Sequence, residues 1–501
     1  MQYDVVIIGS GLGGLACGAI LAREGKSVCV LEKNKQIGGA LQTFVRQRVI
    51  FDSGVHYVGG LDEGQNLNQL FKFLGIMGKM KLRKLDEECF DAILFKDDPK
   101  VYKYAQGYDR FIATLVKDFP DEEHAIRKYC DGIREVCSKF PLYNLRSGDY
   151  FDKVNVLEID TQTYLESITP NKKLQNVLAG TSLLYAGEPY KTPFYVHALV
   201  VNSYIESSWR FVDGGSQIAI ALTREIVSRG GKCVKHAKVV KLVEENGAVT
   251  HALTDDGKRY DGKLFISNVH PTKTLELLQT DMIKKAFRTR LNSLENSIST
   301  FFVNIVLKKD TLPYLNHNYY YFNESDAWSV LNYTEDTWPS GYALYYSANS
   351  KNDKYADGVT VMTYMRYDEV KQWANTFNTV ANETSRGEEY EAFKKDRAER
   401  LFKLVEERFP GFTDAIDTYY AATPLSVRDY IGTDDGSLYG VVKDYKEPMR
   451  TFISPRTKIP NLLLTGQNLN LHGILGVTVS AISTCSEILG KDYLVSKIRN
   501  A

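Results

Sequence analysis

Residues 3–14 read YDVVIIGSGLGG, and the fold turns on this stretch. Its first half, YDVVII, is the apolar run that a strand buried on both faces of a parallel sheet needs. The second half, Gly9-Ser10-Gly11-Leu12-Gly13-Gly14, fits G-x-G-x-x-G. In that pattern Gly9 permits a tight turn, Gly11 lets the backbone approach a pyrophosphate, and Gly14 allows close helix–strand packing. The segment LACGAILAREG then predicts a helix whose first N–H groups and positive dipole end face phosphates. A second apolar run, SVCVLE, ends at Glu32, where a carboxylate can bind ribose hydroxyls. The glycines alone are a weak signal. Inside strand–turn–helix–strand–acid they predict a dinucleotide-binding start, without deciding between NAD and FAD.

The next residues bear on that choice. Glu32 is followed by KNKQIGG, which places Gly38 and Gly39 six and seven residues beyond the acid. A nicotinamide-binding unit has no need of a second glycine pair there. A longer FAD does, because its ribityl and flavin lie against backbone further along the chain. An acid followed by this glycine pair, after G-x-G-x-x-G, resembles the large flavoprotein group that includes glutathione reductase, monoamine oxidase and phytoene desaturase.

At the far end, residues 460–490 read PNLLLTGQNLNLHGILGVTVSAISTCSEILG. LLLTG predicts a buried strand ending in a glycine turn, and GILGVTVSAISTCSEILG a helix of small residues. The first turn of that helix holds Gly473 and Gly476 and no acid, leaving its N–H groups free for an anionic or carbonyl ligand. Between the ends, residues 213–271 predict helix, strand and two hairpins, with turns at Asn246-Gly247 and Asp256-Gly257.

Composition narrows the classes. Lys+Arg and Asp+Glu both number 62, so charge gives no reason to expect nucleic acid. The seven cysteines are scattered without a CxxC pair, which argues against a disulfide framework or a metal site and for a reducing compartment. The opening shows no basic, cleavable apolar segment, and nothing approaches the ~18 apolar residues of a spanning helix. The expectation is a cytoplasmic protein, with peripheral membrane contact and oligomeric state left open.

The N-terminal fingerprint, FDSGVHYVGG (51–60), AGEPYKTPFYVHALVVNSYIESSWRFVDGGSQ (186–217), FISNVHP (265–271) and LLLTGQNLNLHGILG (462–476) occur in order along nearly the whole chain. Together they resemble the carotenoid isomerase and retinol saturase branch of the phytoene desaturase superfamily. The resemblance implies an α/β fold. A discontinuous FAD-binding Rossmann-like domain of glutathione reductase type would comprise 1–75, 205–275 and 425–501. An α+β substrate domain on an antiparallel sheet, as in amine oxidases and phytoene desaturases, would comprise 76–204 and 276–424. Strands at 299–307, 342–347 and 359–365 and a striped helix at 388–409 fit the second domain.

The same resemblance implies FAD contacts from Gly9, Gly11, Leu12, Gly13, Gly14, Glu32, Lys33, Gly38, Gly39, Ala40, Gly54 and Val55. Further contacts are implied from Val239 at the adenine, from Ser267, Asn268, Gly466 and Gln467, and from Gly473, Gly476 and Val477. It turns FDSGVHYVGG back beneath the flavin. Asp52-Ser53-Gly54 is then a turn with glycine at positive φ, and His56 and Tyr57 begin a strand that Gly59-Gly60 end. His56 either faces flavin and substrate or is a hydrogen-bonded core histidine. A saturase needs a proton donor, for which His56, Tyr57, Tyr439 and His472 are the candidates. The chain holds no second G-x-G-x-x-G, so NAD(P)H, if it is the reductant, docks at the flavin face. The implied activity is FAD-dependent redox chemistry on C=C or CH–CH bonds of a long apolar substrate. A redox-neutral polyene isomerase, an amine oxidase and a non-catalytic flavin-binding module are the alternatives.

Overall fold

In the computed structural model, which describes residues 2–149 and 151–501, the opening stretch forms strand Gln2–Ile8 and helix Leu12–Arg23. The strand is apolar throughout because both faces are covered. Val5 and Ile7 pack under helices, while Tyr3, Val6 and Ile8 pack against a second cluster built on the 239–254 hairpin. Five strands run parallel in the order Lys232–Val234, Val28–Leu31, Gln2–Ile8, Arg259–Ser267 and Leu462–Leu464. The start of Arg259–Ser267 also pairs antiparallel with Ala248–Thr254, which pairs with Val239–Glu245. The left-handed backbone at Asn246 (φ 55°) and Gly247 (φ 85°) closes the first of these hairpins. Helix Leu12–Arg23 packs between Ser216–Ser228 and Gly473–Leu489.

The second sheet is ordered Ile416–Ala422, Ser299–Leu307, Gly358–Met365, Gly341–Tyr346, Asn318–Phe322, Asp91–Phe95, Asp98–Tyr104. All its pairs are antiparallel except Asn318–Phe322 with Asp91–Phe95. That parallel pair departs from the expected all-antiparallel sheet. The two strands belong to segments more than 200 residues apart, so no hairpin joins them. Register places Phe302, Asn304, Tyr345, Met362, Tyr420 and Ala422 on one face. Asp91, Asn318 and Tyr320 continue that face. Helix Phe194–Glu206 packs on Glu123–Ser138 and is mostly buried, and Glu388–Arg408 buries Ala398, Leu401, Phe402 and Val405.

The stretch 51–60 differs from expectation in two respects. Only Val58–Gly59 pairs, against Trp209 and Ser208, so His56 and Tyr57 precede the strand. A Cβ on Gly59 would lie 2.4 Å from the Ser203 carbonyl group, and this close approach of the helix leaves no room for a longer edge. Positive φ falls at Gly60 (75°) and not at Gly54. Gly54 is instead held close to Ala40, whose carbonyl oxygen would lie 3.2 Å from an added Cβ. Among the described residues, no helix is long and apolar enough to cross a membrane.

Candidate active site

One cavity of about 1310 Å³ runs from the glycine turn at 9–13 to the aromatic face of the second sheet. Ligand pockets commonly span about 300–1,000 Å³. The space therefore suits a large cofactor together with a second molecule.

At one end the backbone forms a cradle. Gly9 (φ 92°) makes the turn, and Gly39 (φ 56°) approaches so closely that its Cβ would lie 3.1 Å from the Gly11 Cα. Gly9, Gly11, Leu12, Gly13, Gly38, Gly39 and Ala40 all border the cavity. Gly14 does not: a Cβ there would sit 2.2 Å from the Gly9 carbonyl oxygen, so its place is the helix–strand contact. Glu32 also borders the cavity. Its Oε2 accepts from the Ser10 backbone N–H at 3.2 Å and from the Ser10 hydroxyl, and its Oε1 accepts from the Asn34 N–H at 2.8 Å. The Gly38 N–H donates to the same Ser10 hydroxyl at 3.1 Å. Ser10 thus ties the acid to the second glycine pair, a role its variable place in G-x-G-x-x-G does not announce.

Lys33 and Val239 line the same end. Lys33 Nζ donates to the Asp429 carbonyl oxygen at 3.0 Å, and burial lowers its pKa. Gly466, Gln467, Gly473, Gly476 and Val477 form the opposite wall, with helix Gly473–Leu489 presenting its acid-free first turn. Asn268 borders the cavity as a wedge between the glycine turn and Gly466. Ser267 corrects the expectation: it is fully buried outside the cavity wall, its hydroxyl 2.7 Å from that of Thr274. Strand alternation sends its side chain to the opposite face from Asn268.

Gly54, Val55 and the four proposed proton donors all border the middle of the cavity. His56 stacks on Tyr345 with ring centroids 4.3 Å apart and planes 5° from parallel. Its Nε2 is buried without a hydrogen-bond partner among the described residues, which removes the hydrogen-bonded core alternative. Burial and the Arg210 charge push its pKa down to about 3. His472 Nε2 lies 2.8 Å from the Leu184 carbonyl oxygen. A carbonyl only accepts, so Nε2 carries the hydrogen and Nδ1 the lone pair. Burial pushes this imidazole down to about 4. Tyr439, 4.4 Å from the His472 ring, donates its hydroxyl to the Leu183 carbonyl oxygen at 2.7 Å. The Tyr57 hydroxyl donates to Asp91 Oδ2 at 2.8 Å. In this arrangement Tyr439, His472 and Tyr57 direct their protons into the protein and not into the cavity.

Two further groups stand in the wall: Asp52, read from the sequence only as part of a turn, and Lys443, which sequence reasoning missed. Asp52 accepts from the Gly215 N–H at 2.7 Å, and burial raises its pKa to about 7. Lys443, pushed down to about 7 by burial and then by Lys153, donates to the carbonyl oxygens of Thr451 (3.0 Å), Asn468 (3.2 Å) and Leu469 (3.5 Å).

The depressed values of His56 and His472 have a pH consequence. Each imidazole is neutral in the folded chain and titrates near 6.5 once unfolded, so its stabilising contribution is complete above pH 6.5. That contribution is lost as pH falls from 6.5 toward about 3 for His56 and about 4 for His472. Imidazole resonances followed by NMR should show both rings still neutral at pH 5. A protonated ring at either position would overturn the assigned burial.

Known proteins resemble this chain in sequence and in fold. Residues 7–74 match the family model described as an NAD(P)-binding Rossmann-like domain. The all-trans-retinol 13,14-reductase of Danio rerio is 26% identical over 98% of this chain and 86% of its own. Prolycopene isomerase 1, chloroplastic, of an Oncidium hybrid cultivar is 23% identical over 99% of this chain and 85% of its own. The crystal structure of an oxidoreductase from Methanosarcina mazei superposes with a TM-score of 0.64 at 16% identity, covering 97% of this chain and 100% of that one. Over nearly its whole length the chain is thus similar to the all-trans-retinol 13,14-reductases and prolycopene isomerases, relatives that carry the phytoene desaturase-like resemblance of the sequence, and it begins with an NAD(P)-binding Rossmann-like domain.

Proposed function

We propose that the protein is an FAD-dependent oxidoreductase that reduces a C=C bond of a long apolar polyene, retinoid or carotenoid-like substrate. The observation that carries this reading is the single cavity joining the glycine cradle to an apolar sheet face of Phe302, Tyr345, Met362 and Ala422. The cradle fits FAD: a Cβ at Gly39 would close on Gly11, and two helix N-termini open onto the space.

In this reading the turn at 9–13 holds the pyrophosphate, Glu32 the ribose, Val239 the adenine, and residues 38–40, 54–55, 466–467 and 473–477 the flavin half. FAD bound there supplies two-electron hydride chemistry; the chain binds, orients and excludes water. The aromatic face orients the polyene, and His56, stacked on Tyr345, fixes one wall. With one glycine fingerprint, an external two-electron donor such as NAD(P)H reaches the cofactor through the same cavity. On this reading the chain divides into cofactor and substrate domains at about residues 75, 205, 275 and 425, and the small sheet of Val58–Gly59, Ser208–Phe211 and Leu82–Lys84 flanks the first two of these boundaries in sequence. The prolycopene isomerase relative supports a second reading, a redox-neutral cis–trans isomerase on the same scaffold. An amine oxidase calls for a lysine beside the flavin, and Lys443 in the cavity wall is instead engaged by three carbonyl oxygens, so that alternative gains less support.

The test is anaerobic: photoreduce the flavin-loaded protein, add a panel of polyenes, and follow flavin absorbance with product mass. Flavin reoxidation with a product two hydrogens heavier is expected. Constant mass with changed geometry would replace the saturase by the isomerase. Inertness toward every polyene, with peroxide formed from amines by the oxidised protein, would sink both.

A further inference from the structure

We propose that Asp91, Tyr57, Tyr320 and Tyr345 form an internal proton relay, with Asp91 as reservoir, that delivers to the cavity the proton consumed in C=C reduction. The inference rests on the proposed saturase reading and extends it to residues outside the cavity.

The links are geometric. Asp91 Oδ2 accepts from the Tyr57 hydroxyl at 2.8 Å. The Tyr57 and Tyr320 hydroxyls are 2.7 Å apart, and either can donate. The Tyr320 and Tyr345 hydroxyls are 3.4 Å apart, again with either as donor. Tyr345 borders the cavity, whereas Asp91 and Tyr320 are fully buried behind it. Such a chain has two self-consistent orders. With Asp91 ionised, Tyr57 donates to it, Tyr320 to Tyr57 and Tyr345 to Tyr320. With Asp91 protonated, every donor–acceptor direction reverses and the Tyr345 proton turns to the cavity.

Passing from one order to the other moves one proton without moving a heavy atom. FAD held by the cradle would supply, in its reduced form, the hydride needed at one carbon, and the neighbouring carbon forms its new C–H bond with the Tyr345 proton. Tyr345 takes the proton of Tyr320, Tyr320 that of Tyr57, and Tyr57 that of Asp91. Each tyrosine breaks one O–H bond and gains another. The tyrosines end neutral, and the negative charge rests on the carboxylate.

The surroundings explain why the charge goes there. Burial raises the phenol pKa values of Tyr57, Tyr320 and Tyr345 far above normal, so a tyrosinate in the wall is costly. Asp91 is better placed. Its Oδ1 accepts from Asn318 Nδ2 at 2.9 Å, and Asn318 Oδ1 accepts from Arg210 Nη2 at 2.7 Å, which brings a buried guanidinium close behind the carboxyl. Burial raises Asp91 to about 7, while Asn318, Tyr57 and Arg210 work the other way. The other titratable groups near it include Tyr320 from the same flank, Tyr104 across the Asp98–Tyr104 strand, Tyr204 from helix Phe194–Glu206, Tyr345 at the cavity, and Cys89, whose thiol lies 3.5 Å from the Asp91 carbonyl oxygen. The carboxyl can thus hold or release a proton near neutrality.

The first experiment needs no substrate. Infrared titration of the flavin-loaded, oxidised protein should show a protonated-carboxyl band that disappears as pH rises through about 7. The band should be missing in Asp91→Asn and shifted in Tyr57→Phe, with the Asp52 band persisting in both as reference. Its survival in Asp91→Asn, or its absence from the wild type, overturns the relay whatever the substrate is. The second experiment uses any polyene that reoxidises the reduced protein. Asp91→Asn and Tyr320→Phe should each slow that step by about a hundredfold at unchanged flavin content. The double variant should be no slower than either, because the groups act as one unit. Losses that multiply, or wild-type rates in Tyr320→Phe, would reduce these residues to packing. If no polyene reacts with the wild type, the proposed function fails while the infrared result still judges the relay.

Discussion

A Gly11→Val variant should fold normally and purify without yellow colour. Gly11 caps the first helix at φ −61° and ψ 172°, extended backbone open to any residue, so valine introduces no conformational strain there. What it removes is space. An added Cβ would lie 2.9 Å from the Asn268 amide, and a Cβ on Gly39 would itself close to 3.1 Å on the Gly11 Cα. The extra methyl groups therefore enter the gap in which the pyrophosphate is placed. A loss of at least about a hundredfold in flavin affinity, about 2.7 kcal/mol, is expected. Flavin-to-protein absorbance measures it, with circular dichroism confirming the fold. Gly14→Ala supplies the contrast, because its Cβ would meet the Gly9 carbonyl oxygen at 2.2 Å and damage the fold itself. A yellow Gly11→Val protein with wild-type flavin content would move the cofactor away from this turn.

Asp429→Ala should produce the largest single loss of stability among the substitutions considered. Asp429 is buried, and its carboxylate accepts from Arg386, from Arg428 Nε at 2.8 Å and from the Asn378 N–H at 2.8 Å. The Arg386 side chain is 3% exposed, so water cannot take over the missing charge. Removing one partner of such a pair typically costs about 3–5 kcal/mol, chiefly by stranding the other. The damage should reach the cofactor, because the Asp429 and Tyr430 carbonyl oxygens hold Lys33 and Asn34 immediately after Glu32. Urea unfolding of the flavin-loaded protein, with flavin retention followed in parallel, checks both effects. A midpoint within error of the wild type would show that the guanidinium finds other compensation.

Local patterns made much of this molecule readable in advance. The strand–turn–helix at 3–23, the Asn246-Gly247 hairpin and the strand and helix after residue 460 each carry their instructions within a few residues. Gly54 borders the cavity as expected but without positive φ, and Ser267 turns away from it, because a glycine's φ and a strand-end side chain's direction depend on what lies opposite: Ala40 in one case, Thr274 in the other. The tautomer of His472 is set by Leu184, 288 positions away. Tyr57, Asp91, Tyr320 and Tyr345 come from four segments; Tyr57 already stands among the proton-donor candidates of the sequence, whereas Tyr320 and Tyr345 each read as ordinary aromatic packing within their own strands. Asp91 did offer a signal: it is an acid inside the run CFDAILF, where every neighbour is apolar. An acid there must be paired or must titrate.

The cofactor sheet takes strands from both ends of the chain: Gln2–Ile8 beside Arg259–Ser267, which in turn pairs with Leu462–Leu464. During synthesis the glycine turn leaves the ribosome hundreds of residues before the strand and helix that face it. Until those arrive, Cys17 on helix Leu12–Arg23 lacks its partners Thr465, just after strand Leu462–Leu464, and Ala481 on helix Gly473–Leu489. Assembly of the proposed flavin site therefore waits until residues 462–489 have emerged, and supply of the vitamin-derived cofactor bears on chains synthesised at least that far. Long-range closure of this kind folds slowly. A nascent chain waiting for its last strand exposes an apolar sheet edge, and chaperones and proteases have that interval in which to act on it.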